Sequence, residues 1–208
     1  MCVIRYRIAE PGTDDIDTYH RLRTEQYLDA GLIAPDDVDP GSGLFVDQYD
    51  AHSIHLLAAT DEGLDIGCWR MVESGPGRTL PVTDLFDVEV LPRSYESSGS
   101  AIVLAYRKTL VGLGFFRAMY EIAGDRGLDH AYGIVEPPYL AAARALGIPI
   151  DVLSEPRHVY NAENVAIVVK RDELTAVLDA VAETVPQFVA YFLKPFDWTL
   201  SDHEFLPA

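Results

Sequence analysis

Ser100-Ala-Ile-Val-Leu-Ala-Tyr106, then Thr109-Leu-Val-Gly-Leu-Gly-Phe-Phe116 and on to Gly124, then Asp129-His-Ala-Tyr-Gly-Ile-Val135 form the stretch that decides the fold. The first segment is nearly all apolar, as expected of a strand covered on both faces. Thr109 is placed to cap a helix running to Gly124, apolar almost all round, and Asp129 to Val135 reads as the next strand. A strand–helix–strand unit this compact predicts a parallel pair joined by a right-handed crossover. Gly112 and Gly114 fall in the first turn of that helix. Glycines there serve either close helix-to-sheet packing or a phosphate-bearing group held at the positive helix end. The third glycine of a dinucleotide fingerprint is missing, so this is not that motif.

Upstream, Cys2 to Ile8 alternates as an edge strand, and Thr13-Asp14-Asp15 opens a helix that Gly31 closes. Ile16, Tyr19, Arg23 and Tyr27 share one face of it, which puts a guanidinium on an apolar stripe. A buried arginine needs a carboxylate partner, whereas one at the margin can snorkel to water. Residues 34 to 51 form a Pro/Gly/Asp-rich loop long enough to be functional. Strands are predicted over Ser53 to Thr60 and Leu64 to Glu73, and on the second Ile66, Cys68, Arg70 and Val72 share a face. A short segment, Leu80 to Val88, precedes the central unit. After it come a helix from Pro137-Pro138 ended by Gly147, then strands at Ile150 to Leu153, around His158 to Tyr160, and at Val165 to Lys170. Helices from Asp172 and Pro186 end the chain. The pattern predicts an α/β (α+β) fold with a mixed, mostly antiparallel sheet, one parallel pair splayed at one end, and flanking helices. It reads as one domain over 1–208, a core over 1–170 and a helical extension over 171–208.

Composition narrows the function. With 208 residues, 49% of them hydrophobic, the chain can bury a core without disulfides or metals. Its net charge of −17 repels phosphate backbones and anionic lipid, which argues against nucleic-acid and membrane partners. No apolar run approaches the ~18 residues of a membrane helix, and the first residues lack a signal-peptide pattern, so a cytoplasmic protein is expected. The two cysteines, Cys2 and Cys68, are not positioned for a structural disulfide. Six histidines show neither HExxH nor paired Cys/His spacing, so no metal is expected. No GxSxG elbow supports a hydrolase triad.

Several short stretches, in order, resemble a known family. They are Tyr19-His-Arg-Leu-Arg23 through Tyr27; Asp47-Gln-Tyr-Asp50 with Ser53 and His55; Ile66-Gly67-Cys-Trp-Arg70; Leu80-Pro81 through Phe86; Glu96-Ser97-Ser98; and Val135-Glu136-Pro137 with Leu146-Gly147-Ile148. Together, over roughly 17 to 170, they resemble the acyl-homoserine-lactone synthases and, more closely, the long-chain N-acyl amino acid synthases. Both are offshoots of the acetyltransferase-like (GNAT) fold. The resemblance implies that Arg23, Asp47, Asp50 and Arg70 line the acceptor side, and that Glu96 deprotonates the amine. The splayed central strand, the glycines in the first turn of the helix after it and the basic pair before that helix place the expected acyl-donor side at Ile102, Val103, Arg107, Lys108, Gly112 and Gly114. The two arginines that periodicity placed inward are the two that the resemblance selects. One position departs: Gly99 stands where these families carry arginine after the serine.

The chemistry implied is N-acylation with acyl-CoA or an acyl carrier protein thioester as co-substrate and no bound cofactor. An amine with a pKa of roughly 8 must lose a proton before it attacks. The thioester oxyanion needs a donor, usually a backbone N–H on the splayed strand. A glutamate near its free pKa of ~4.3 is a poor base, and burial would strengthen it. Forked guanidinium donors suit a carboxylate, which points to an amino-acid or peptide-like acceptor. Two rivals stand beside this: a homoserine-lactone synthase consuming S-adenosylmethionine, and a non-catalytic module that binds an acyl chain or acyl carrier. An acidic carrier protein could be steered by Arg107, Lys108 and Arg117 near the glycine-bearing helix.

Overall fold

The computed structural model describes residues 3–107 and 109–196; Cys2 and Lys108 lie outside them. The described residues build eight strands and six α-helices. These are β1 (Ile4–Ala9), α1 (Asp14–Asp29), β2 (Ser53–Thr60), β3 (Asp65–Glu73), α2 (Pro81–Phe86) and β4 (Ser94–Ile102). After them come α3 (Val111–Asp125), β5 (His130–Val135), α4 (Pro137–Ala145), β6 (Asp151–Val152), β7 (Arg157–Val159), β8 (Ala162–Lys170), α5 (Arg171–Val181) and α6 (Pro186–Leu193). The strands hydrogen-bond in the order β1-β2-β3-β4-β5-β8-β6, with β7 on β8.

The described residues form two compact units, one within residues 3–71, 99–119 and 195–196, the other of residues 72–98 and 120–194. Strands β3 and β4 run through both.

In the first unit β1 pairs antiparallel with β2, from Ile4↔Thr60 to Ala9↔His55. Alternation along these strands sends side chains to two covered faces. On one, α1 packs Tyr19 and Leu22 against Ala9, Leu57, Cys68 and Ala101. On the other, Phe115 of α3 meets Tyr6 edge-on at 5.2 Å and Trp69 at 5.7 Å. Helix α1 starts at Thr13, whose extended backbone makes it the N-cap, although its hydroxyl donates back to the Glu10 carbonyl. Gly31 ends the helix in the left-handed region, at φ +67°.

Gly114 is required by packing. A Cβ there would lie 2.0 Å from the Tyr6 hydroxyl and 2.1 Å from its ring carbon. That hydroxyl is fixed, donating to the Val111 carbonyl at 2.9 Å. Gly114→Ala is therefore expected to cost about 1–3 kcal/mol by overpacking. Urea unfolding checks it, and an unchanged midpoint would contradict the packing argument.

In the second unit β4 and β5 run parallel over Ser94↔His130, Tyr95↔Ala131 and Glu96↔Tyr132. Their ladder stops at Glu96↔Tyr132, while Gly133 to Val135 continue on β8, which is antiparallel to β5 along its whole length. Leu140 and Ala143 of α4 cover Ile150, Val165 and Ile167. Tyr160 and Asn161, both left-handed, make the two-residue turn between β7 and β8.

The parallel pair stands as the sequence predicts, but one strand is shifted. β4 begins at Ser94 and ends at Ile102, and Leu104–Tyr106, expected to be strand, form a 3₁₀ turn. Ser94 to Ser98, polar and ahead of the strand expected at 100 to 106, belong to β4. They are strand because Ser94 and Glu96 are buried and hydrogen-bonded within the fold.

Candidate active site

Arg23 and Arg70, on α1 and β3, meet at one carboxylate. Arg23 donates to both oxygens of Asp50, from Nη1 to Oδ1 at 3.0 Å and from Nη2 to Oδ2 at 2.6 Å. Arg70 Nη1 donates to the same Oδ1 at 2.6 Å and to Asp47 Oδ1 at 2.7 Å, and its Nη2 to Asp47 Oδ2 at 2.8 Å. His55 on β2 adds a bond from Nε2 to Asp50 Oδ1 at 3.0 Å. An ionised carboxylate only accepts, so the His55 proton sits on Nε2. The Asp47 amide completes the set, donating to Asp50 Oδ2 at 2.8 Å.

This quartet also closes the 34–52 loop. Arg23 Nη2 donates to the Phe45 carbonyl, and the Phe45 amide donates to Thr24 Oγ1. The guanidinium of Arg23 lies 5.0 Å from the Phe45 ring and 5.2 Å from the Tyr19 ring. The loop is thus folded back on α1 by charge-assisted bonds. Its acidic residues are the counter-ions that two buried arginines demanded.

Burial alone would raise the Asp50 carboxyl, but bonds from His55 and Arg23 and the charges of both arginines hold it well below the usual carboxylate range. Burial would lower Arg23 and Arg70, yet the carboxylates bonded to them, Asp50 for Arg23 and Asp47 with Asp50 for Arg70, raise both. A carboxyl depressed on folding contributes stability that is complete above its unfolded pKa and is lost as pH falls from there. Urea midpoints should therefore be steady from about pH 7 to 5 and drop below about pH 4. Asp50→Asn should flatten that acid limb; an identical limb in the variant would contradict the assignment.

Gly99 explains its own identity. Its φ is +62°, and a Cβ would lie 2.7 Å from the Tyr19 hydroxyl and 3.0 and 3.1 Å from the stem of Arg70. The Tyr19 hydroxyl donates to the Gly99 carbonyl at 3.4 Å and accepts from Arg23 Nη1 at 3.5 Å. Tyrosine and the Arg70 stem fill the space that a side chain at 99 would enter. Burial pushes the Tyr19 phenol well above its ordinary pKa, so it remains a neutral donor.

Glu96 lies on β4 at the last rung of the parallel ladder and is fully buried. Its Oε2 accepts from the Val82 amide, in the first turn of α2, at 2.7 Å. That bond fixes the carboxylate's direction.

The donor-side residues are only partly together. Ile102 and Arg107 line a cavity of about 280 Å³ with Gln26, Tyr27, Leu32 and Trp69. Arg107 is exposed and donates from Nε to the Ile102 carbonyl. The Val103 amide is already engaged, donating to the Ile66 carbonyl at 2.9 Å. Gly112 is within reach of Ile102 and Trp69, whereas Gly114 is spent on Tyr6. Arg117, expected beside Arg107 and Lys108, turns inward: it is buried, its guanidinium 4.1 Å from the Phe196 ring and bonded to the Pro195 carbonyl. It does not add to a surface charge.

His55 and Tyr19 were not singled out as site residues from the sequence. The signal for His55 was present: a histidine whose strand neighbours, Ile54 and Leu56 to Ala59, are all apolar. Cys68 is free and buried, and burial pushes its thiol up to about 12, so it is no candidate for a covalent acyl intermediate.

A mixed, mostly antiparallel sheet with one parallel pair and flanking helices is the acetyltransferase-like fold. The chain belongs to the autoinducer synthase family, whose model matches residues 9–177. Among solved structures it is similar to the CoA-dependent acyl-homoserine lactone synthase BjaI, with SAM and isopentyl-CoA, at 22% identity over 88% of this chain and 90% of that one, TM-score 0.66. It is similar to the AHL synthase LasI at 16% over 85% and 95%, TM-score 0.66. It is similar also to FeeM, an N-acyl amino acid synthase from uncultured soil microbes, at 14% over 83% and 93%, TM-score 0.63. None of the curated proteins matches the sequence. Among the described residues no helix is long and apolar enough to cross a membrane.

Proposed function

We propose that this chain is an N-acyltransferase that moves an acyl group from an acyl-CoA or acyl-carrier-protein thioester onto an amine in the cytoplasm. The observation that carries the reading is Glu96: a fully buried carboxylate that accepts from the Val82 amide, at the rung where β4 and β5 stop pairing. Glu96 takes a proton from the acceptor ammonium, directly or through water. The freed amine attacks the thioester carbonyl, the C–N bond forms, the C–S bond breaks, and the thiol leaves with a proton. Arg23, Asp47, Asp50 and Arg70 form the acceptor side. Ile102, Val103, Arg107, Lys108, Gly112 and Gly114 form the donor side, Arg107 standing exposed where an acidic carrier would be attracted. The family match over 9–177 favours a second reading, an acyl-homoserine-lactone synthase using S-adenosylmethionine.

Mass spectrometry of lipid extracts from cells overexpressing the chain tests the proposal. A new N-acylated amine without methylthioadenosine is expected. Methylthioadenosine with a lactone product selects the second reading, and acyl-thioester binding with no new product would reduce the chain to a binding module.

A further inference from the structure

The arginines of the quartet have little left to offer an acceptor. Arg23 is 0% exposed and Arg70 4%; the terminal nitrogens of Arg23 donate to Asp50, Phe45 and Tyr19 and those of Arg70 to Asp47 and Asp50, while Arg23 Nε is buried with no acceptor among the described residues. Two guanidiniums and two carboxylates cancel in formal charge. The accessible member is Asp47, with 23% of its side chain exposed. Its Oδ1 accepts from Arg70 and the Tyr49 amide, while among the described residues Oδ2 accepts from Arg70. A carboxylate holds about four lone-pair positions, so one remains on Oδ2 for an incoming N–H. No side chain can be added at Gly99 to bring in further charge, because Tyr19 and the Arg70 stem occupy its Cβ direction. The chain's net charge of −17 adds a long-range field that draws cations and repels anions.

We infer that the acceptor is held by its ammonium group at Asp47 Oδ2, and that a free α-carboxylate is not required of it. The substrate class is then primary amines with a neutral remainder, such as amino-acid amides, esters or peptide N-termini. This rests on the acyltransferase reading above and changes the acceptor that the arginines suggested from sequence. The guanidiniums instead set the direction of Asp47 and lock the loop that carries it.

The test supplies octanoyl-CoA or octanoyl-carrier protein with pooled L-amino acids or with the corresponding pooled amides, reading thiol release and product mass. Amides should be acylated at least as fast as the free acids. Asp47→Asn should raise KM for the amides about tenfold or more, the loss expected for one bond to a charged group, while Asp47→Glu keeps most of the affinity. Acylation of the free acids alone, with the amides inert, overturns the ammonium assignment and leaves acyl transfer standing; so does an Asp47→Asn enzyme that stays folded with an unchanged KM. Thiol release with neither pool from either donor overturns the acyltransferase reading and this inference with it.

Discussion

Asp50→Ala is expected to destabilise the protein by about 3–5 kcal/mol, because it leaves two buried guanidiniums without their shared counter-ion. Against a typical total of about 5–15 kcal/mol, this is a large fraction. The damage should be local first. Residues 34–52, held to α1 through Arg23 and Phe45, should become the earliest site of proteolysis. Urea unfolding gives the global cost and limited proteolysis the local one. A midpoint within ~0.5 kcal/mol of the parent, the scatter of ordinary surface substitutions, would mean that the quartet is not the anchor described here.

Glu96→Gln should lower kcat by about 10²–10⁴-fold, the range for loss of a positioned general base. Glutamine keeps the volume and can still accept from the Val82 amide, so the fold should survive. The residual rate should rise with pH as a larger fraction of acceptor amine loses its proton without help, towards about pH 8 and above. A variant with unchanged kcat would remove Glu96 from the chemistry. One that loses its fold would show that the carboxylate serves packing.

Local patterns carried the sequence reading where the determining contacts are local. The three- and four-residue spacing of Tyr19, Arg23 and Tyr27 fixed the inner face of α1, and alternation along β3 did the same for Cys68 and Arg70. An inward arginine demands a carboxylate, which made the acidic 34–51 loop a foreseeable partner. Which carboxylate serves which arginine was not legible, because Asp50 takes bonds from Arg23 and Arg70, 27 and 20 positions away, as well as from nearby His55. Nor was the start of β4. Ser94 to Ser98 carry no apolar alternation, and their polar groups face partners that only the fold supplies. Gly99 is the sharpest case: in sequence it is a missing arginine, and in the structure it is a left-handed residue beneath Tyr19. Arg117 carries a charge that sequence places at the surface, but Phe196, 79 positions on, covers it.

The central claim is that this chain makes an amide from a thioester and an amine. Its most direct test is the purified protein with octanoyl-CoA, or octanoyl-carrier protein, and a pool of amino acids and their amides, analysed for free thiol and product mass. Thiol release that depends on both enzyme and amine is expected, with equal amounts of N-octanoyl product and no methylthioadenosine when S-adenosylmethionine is included. Thiol release independent of amine, or a product formed only with S-adenosylmethionine, would contradict it.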